Sequence, residues 1–221
     1  MAQVLLPPLI VTRKTGNESF RNGQTALGFD LLSFWQWSAS DLASNALRGM
    51  LAEYLVAQAL GIADGLREEW AAFDLRTREG ITIEVKSAAY LQTWAQTAHS
   101  IITFGIAPTR MWQAATNEWE TETRRQADIY VFAILAHKDK PTLDAMDLSQ
   151  WIFYLLPSAI LDARLQNQKQ LSLSTLLKLA PWRCSYGELG TAIERLAVGM
   201  TRQSQSPQTD SSDRGTIGSE N

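Results

Sequence analysis

Residues 73–89, "FDLRTREGITIEVKSAA", hold two carboxylates and a lysine on the strands of a predicted β-hairpin. The stretch reads as two strands joined by the three residues that lie between Thr77 and Ile81. Three-residue hairpin loops commonly end in a residue with a left-handed backbone, which glycine adopts readily. Gly80 stands at this position. The stretch therefore predicts a β-hairpin in which Thr77 pairs with Ile81.

The hairpin divides its side chains between a polar and an apolar face. The predicted register sets Asp74 opposite Glu84, and directly opposed residues share a face. Because side chains alternate along a strand, Lys86 lies on that face too. The other face carries only apolar residues: Phe73, Leu75, Ile81, Ile83 and Val85.

Asp74 and Glu84 form a candidate metal site. Two opposed carboxylates destabilise a sheet, and a divalent cation between them would reverse that effect. Mg²⁺ binds through one or two carboxylates together with waters and phosphate oxygens. Lys86 would then lie beside an attacking water or a phosphate. The alternative is an ordinary strand surface on which Lys86 neutralises both acids.

A long helix is predicted at residues 38–61, with Ser40 or Asp41 as its cap and Gly61 at its end. On a helical wheel Glu53 falls within the apolar arc. Because an unpaired buried carboxylate is costly, we expect Glu53 to point towards the hairpin acids. The alternatives are a pairing with a buried Arg or Lys, or a position at the edge of the arc.

The remaining segments predict an α/β or α+β fold, in which helices cover a sheet. The segment "ADIYVFAILAH", residues 127–137, has a dense apolar centre and predicts a buried central strand. Residues 171–180 fit either a short helix or a strand followed by one turn. Ser185 and Glu188 have the spacing of a capping box. Further strands are predicted at 68–77, 81–89, 100–106 and 151–157, and a last helix at 185–200.

Composition narrows the class of protein. Of the 221 residues 45% are hydrophobic, eight are tryptophan and one is cysteine, so a sizeable core is available and an internal disulfide is excluded. This cysteine count fits the cytoplasm. Apolar runs stay shorter than the roughly 18 residues of a membrane span. The net charge of −3 argues against a sequence-independent nucleic-acid binder, although it leaves room for a local basic cleft.

The ordered set of helix acid, Asp, ExK and apolar strand resembles the PD-(D/E)xK nucleases. It comprises Glu53, Asp74, the segment "EVK" with Glu84 and Lys86, and the strand at 127–135. The stretch "FWQWSASDLASNALRGMLAEYLV" is further similar to a largely uncharacterised bacterial group within this superfamily. The resemblance implies a restriction-endonuclease-like mixed β-sheet flanked by helices.

The resemblance also implies a domain organisation. A nuclease domain would occupy residues 34–200, after an N-terminal extension at 1–33. Residues 201–221 are polar and lack aromatic side chains, and so we expect a disordered tail.

The resemblance further implies a site and an activity. Mg²⁺ or Mn²⁺ would be held by Asp74, Glu84 and the Val85 carbonyl, with Lys86 at the attacking water and Glu53 in the outer shell. The protein would be a Mg-dependent DNA endonuclease of restriction-enzyme type that hydrolyses phosphodiester bonds, and a homodimer. The alternative is a non-catalytic nuclease-fold protein that binds nucleic acid or serves as a scaffold.

Three further residues are predicted nucleic-acid contacts. Gln92 would contact the substrate, unless it is a solvated loop residue. Arg124 and Arg125 precede the central strand and would touch phosphates, unless they form a solvated surface pair. His99 and His137 have no zinc-ligand spacing.

Overall fold

The computed structural model describes residue 6 and residues 9–113 and 117–204. Within these ranges a hairpin and two helices come first, and strands interleaved with helices follow. In chain order the elements are β1 (Ser19–Asn22), β2 (Thr25–Asp30), α1 (Leu31–Ala39), α2 (Asn45–Ala59), β3 (Leu75–Arg76), β4 (Thr82–Ala89), β5 (Thr103–Gly105), β6 (Trp112–Gln113), β7 (Glu118–Trp119), β8 (Ile129–Leu135), β9 (Trp151–Pro157), α3 (Ser158–Leu165), β10 (Gln170–Ser172), α4 (Leu173–Lys178), β11 (Trp182–Cys184) and α5 (Tyr186–Ser204).

Among the described residues, the main sheet has five strands in the order β11–β9–β8–β4–β3. β4 and β8 are parallel, whereas the other neighbours are antiparallel. Every residue of β8 is buried, because this strand lies at the centre of the sheet with both faces covered. The prediction of an α/β (α+β) mixed sheet flanked by helices is confirmed, as is the buried central strand.

Two apolar layers cover the main sheet, one on each face. α2 and α5 pack on one face, where Val56 and Ile193 belong to the same core cluster as Val85. α3 and α4 pack on the other face, where Leu161 belongs to a second cluster with Phe132. Alternate residues of β4 and β8 therefore point into different layers.

The hairpin of β3 and β4 has the predicted turn and register. The N–H of Thr77 donates to the carbonyl of Ile81 at 2.8 Å. Gly80 has a φ of +91°, which a residue with a side chain rarely adopts. Leu75 pairs with Ile83, as the turn requires.

The long helix predicted at 38–61 is wrong at its start, since the chain breaks into α1 and α2. The chain turns between them, where Asp41 Oδ1 accepts from the Ser44 N–H at 3.1 Å. Neither Ser40 nor Asp41 therefore caps α2, whose N-cap is Ser44. The predicted end is confirmed, because Gly61 follows the helix with a φ of +64°.

Two predictions in the second half of the chain are settled by the structure. Residues 171–180 complete the strand β10 and continue as the helix α4. Half of the predicted capping box is present, since Glu188 Oε2 accepts from the N–H of Ser185 at 2.9 Å. The Ser185 hydroxyl donates to the same oxygen at 2.6 Å, and the Glu188 N–H donates to the Ser185 carbonyl at 3.2 Å.

The two ends of the chain carry different structure. The extension predicted at 1–33 includes β1, β2 and the start of α1. The predicted tail at 201–221 lies outside the described residues from 205 onwards, and residues 201–204 end α5. In the described part of the chain, we find no helix with the length and apolar character needed to cross a membrane.

We expect Gly190→Ala to destabilise the fold, because α5 lies against α2 at this glycine. A Cβ atom on Gly190 would come within 2.3 Å of the Ala59 carbonyl oxygen, so the helices would have to separate. Overpacking of this kind costs about 1–3 kcal/mol. Gly199→Ala in the same helix is the control, since nothing lies within 4 Å of its Cβ position. Urea unfolding measures both variants, and equal stabilities would contradict the close contact.

Candidate active site

Asp74 lies directly before β3, at the edge of the main sheet. Its N–H donates to the carbonyl of Ile83 at 3.1 Å, and its Oδ2 accepts from the Val85 N–H at 2.7 Å. The Val85 N–H is thus directed at a side chain, where a longer β3 would have offered a carbonyl. For this reason the strand predicted at 68–77 is reduced to Leu75–Arg76.

Glu84 and Lys86 lie on β4 and face the layer of α3 and α4. In the parallel register they pair with Tyr130 and Phe132, which belong to the core cluster of that layer. Lys86 Nζ lies 2.5 Å from Glu84 Oε1. Glu84, Lys86 and Tyr130 line one cleft of about 210 Å³, whose opposite wall includes residues 105–107.

The Asp74 carboxyl has an unusually high pKa. Burial and the nearby Glu84 carboxylate raise this pKa from its ordinary value of 3.8 to about 7. The Val85 N–H and Lys86 oppose the shift, and Glu53 adds to it. Two carboxylates close together in a partly buried site cannot both ionise freely, so Asp74 keeps a proton that a cation would displace.

Glu53 lines a second cleft, of about 140 Å³, together with Asp74 and Arg67. Arg67 holds Glu53 through two hydrogen bonds, from Nε to Oε2 at 2.6 Å and from Nη2 to Oε1 at 3.0 Å. Glu53 therefore combines the two predicted surroundings. The helix acid shares a cleft with Asp74, and it is also paired with an arginine, although this arginine is half-exposed.

Sequence reasoning missed Arg67 and Tyr130. Arg67 lies in the loop between α2 and β3, and nothing in its local pattern links it to Glu53. Tyr130 lies beside Glu84 only because β4 and β8 pair in parallel with this register. Burial and the Glu84 carboxylate raise the pKa of Tyr130 above its ordinary value. Tyr130 could have been identified from the sequence only by predicting the register between β4 and β8.

The three predicted nucleic-acid contacts lie in different surroundings. Gln92 is buried, and its amide donates to the Ala89 carbonyl at 3.3 Å, so the solvated loop position is wrong. Arg125 is buried and pairs with Asp162 at 2.5 Å, so the solvated surface pair is also wrong. Arg125 also donates to the carbonyls of Ile106 at 3.1 Å and Gln168 at 3.3 Å, which lie in neighbouring loops. Arg124, by contrast, has a side chain that is 48% exposed, so it keeps the predicted solvated position.

Acidic side chains alone do not complete a metal site here. Across residues 9–113 and 117–204 no group of three or more His, Cys, Asp or Glu residues is arranged to hold a metal ion. The hairpin register sets Asp74 opposite Glu84, whereas Glu53 shares a cleft with Asp74 and is engaged by Arg67. Any metal at this edge would therefore take two carboxylates from the chain and its other oxygens from backbone, water or substrate.

We expect Asp74→Asn to stabilise the protein more at pH 8 than at pH 5, with EDTA present. The folded chain keeps the Asp74 proton up to about pH 7, whereas the unfolded chain loses it near 3.8. The stability of the wild type therefore falls as pH rises through this interval, and asparagine removes the fall. Thermal unfolding at both pH values measures the effect.

Glu79→Gln is the matched control for this variant, because Glu79 lies exposed in the turn of the same hairpin. It should not reproduce the pH-dependent gain. A gain from Asp74→Asn that is the same at pH 5 and pH 8 would contradict the raised pKa.

Comparison with known proteins places the chain in a family. No curated protein shows significant similarity to the chain. The family model for bacteriophage T4 endonuclease IV matches residues 30–157, more than half of the chain. The matched segment runs from the N-cap of α1 to the end of β9 and contains both clefts' acids. The resemblance to a nuclease family is thereby confirmed, and the protein belongs to the bacteriophage T4 endonuclease IV family.

Proposed function

We propose that the protein is a Mg²⁺-dependent DNA endonuclease of restriction type with a PD-(D/E)xK site. Asp74, Glu84 and the Val85 carbonyl would hold the metal, and Lys86 would act at the attacking water. The observation that carries the proposal is the acid pair, in which burial and the nearby Glu84 raise the pKa of Asp74 to about 7. Membership of an endonuclease family supports the same chemistry.

The donor set fits Mg²⁺ or Mn²⁺. Carboxylate and carbonyl oxygens are the ligands that these cations prefer. A residue in a strand directs its N–H and its C=O to the same side. Because the Val85 N–H is directed at Asp74, its carbonyl faces that edge of the sheet too. A divalent cation would also remove the repulsion that raises the pKa of Asp74.

The chain's own residues would orient the reaction. Bound Mg²⁺ supplies charge stabilisation for the phosphodiester group and lowers the pKa of a water. Glu84 positions the Lys86 ammonium in the cleft, where Lys86 holds the attacking water by a hydrogen bond. The water oxygen bonds to phosphorus, the bond from phosphorus to the leaving oxygen breaks, and a proton passes to that oxygen.

Single substitutions should separate metal binding from hydrolysis. Asp74→Ala or Glu84→Ala removes a metal ligand, so Mg²⁺ binding and cleavage should both fall. Lys86→Ala keeps the carboxylates, so cleavage should fall by a factor of about 10² to 10⁴ while Mg²⁺ binding is unchanged or stronger. Calorimetry with Mg²⁺ and cleavage of supercoiled plasmid measure these effects, with Glu79→Ala in the exposed turn as the control.

Two outcomes would contradict the proposal. Cleavage that survives Lys86→Ala unchanged would reduce this lysine to a charge on the strand surface. A wild-type protein that neither binds divalent metal nor cuts any nucleic acid would favour the non-catalytic alternative, a nuclease-fold protein that binds nucleic acid or serves as a scaffold.

A homodimer is part of the restriction-type proposal, since such enzymes cut two strands. α1 lies wholly within the described residues and none of its side chains is buried, and Trp37 on this helix is 85% exposed. Aromatic residues are enriched at protein interfaces. We expect sedimentation velocity at roughly 50 μM protein to show a dimer that Trp37→Ser weakens. A wild type that stays monomeric would exclude this part of the proposal.

A further inference from the structure

Arg67 is the residue whose role the proposed function leaves open, and the inference below rests on that function. Arg67 lies in the loop between α2 and β3 and lines the cleft that Asp74 and Glu53 share. Its charge acts on this site, since the pKa of Arg67 is raised first by its hydrogen bond with Glu53 and also by Asp74. It is therefore a cation placed beside the acids that would hold the metal.

The ion pair with Glu53 fixes the orientation of the Arg67 guanidinium. Nε and Nη2 both donate to the carboxylate, which is the planar, two-bond arrangement that arginine favours. Nη1 takes part in neither bond, and it carries two further N–H donors. The side chain of Arg67 is 43% exposed, whereas that of Glu53 is 13% exposed. The pair thus has a buried acidic end and an open cationic end.

The charge around Asp74 makes this open end important for substrate binding. Glu53, Asp74 and Glu84 surround the site, and a nucleic-acid strand brings further negative charge to it. Lys86 is engaged by Glu84 and is assigned to the attacking water in the proposed function. Arg67 is the cation on the other side of Asp74. A guanidinium that is already held in place loses little freedom when a phosphate binds to it.

We propose that Arg67 is a phosphate-binding residue of the nuclease site. Its Nη1 donates to a non-bridging oxygen of the phosphate that lies beside the cleaved one on the bound strand. Glu53 is the positioning residue that holds the guanidinium for this contact. The role of Glu53 therefore differs from the outer metal shell that the PD-(D/E)xK resemblance implies.

Binding of a fluorescein-labelled DNA duplex, followed by anisotropy at several salt concentrations, tests the proposal. All proteins carry Lys86→Ala so that the duplex stays uncut. Adding Arg67→Gln should weaken binding about tenfold to a hundredfold, the usual effect of losing a charged hydrogen bond. It should also reduce the slope of log affinity against log salt by about 0.9, because one phosphate contact is lost. Arg67→Lys should keep the slope of the Lys86→Ala parent.

Arg78→Gln is the matched control, because Arg78 is exposed and donates to the Gly61 carbonyl at 3.0 Å, away from Asp74. It should leave the affinity and the slope unchanged. Glu53→Gln should weaken binding while keeping the slope, since the charge of Arg67 remains and only its placement is lost. In proteins that retain Lys86, Arg67→Gln should raise KM more than it lowers kcat.

The outcomes separate this inference from the proposed function. If folded Arg67→Gln binds DNA with the affinity and slope of its Lys86→Ala parent while the wild type still cuts plasmid, Arg67 only tethers its loop to α2 and the inference is overturned. If Arg67→Gln does not fold, a reduced slope in folded Arg67→Lys would overturn it equally. If the wild type neither binds nor cuts DNA with Mg²⁺ present, the proposed function fails and the inference fails with it.

Discussion

The hydrogen bond from the Val85 N–H to the Asp74 carboxylate is the interaction on which the candidate site depends. β3 begins only after Asp74 and has two residues. An earlier start would need a backbone carbonyl at the position that the Asp74 side chain occupies. The hydrogen bond also holds the carboxyl beside Glu84 in a partly buried position. The same contact thus shapes the edge of the sheet and brings two carboxyl groups together. A buried carboxyl in such a place is tolerated only because it receives a donor.

The surrounding acids are balanced in different ways. Glu84 is paired with Lys86, and Glu53 is paired with Arg67. Asp74 lies between these pairs and accepts a hydrogen bond from the Val85 N–H. Its pKa is raised because it is buried and close to Glu84. The site therefore has two clefts, one lined by Asp74 and Glu53 and the other by Glu84 and Lys86.

Much of the local structure follows from the sequence, because short-range rules determine it. The turn that ends in Gly80 fixes the hairpin register, and the register brings Asp74 to Glu84. Alternation along β4 likewise places Lys86. The turn, the register and the alternation all lie within residues 74–86. The sequence therefore predicts the acid pair and its lysine without any tertiary contact.

The rest of the site depends on contacts between distant segments. Arg67 contacts Glu53 only when the loop after α2 folds back on the helix. The spacing of apolar residues in the sequence does not predict this fold of the loop. Arg125 looks like a surface residue by composition, yet it is buried against Asp162 because the loops around it need donors. The early start predicted for α2 was wrong for a different, local reason. The turn at Asp41 competes locally with the helix, and helix propensity alone does not weigh it.

The parallel pairing of β4 with β8 has a consequence for how the chain folds. The hairpin closes over a few residues, whereas β4 and β8 are separated by residues 90–128 and must be brought together across this crossover. Loop closure of that length costs entropy before any contact forms, so contacts distant in sequence slow folding. We expect the joining of these two strands to be the slow step. Until it occurs, the apolar face of the hairpin stays open to water and to other chains, and the nascent protein is most prone to aggregate in that interval.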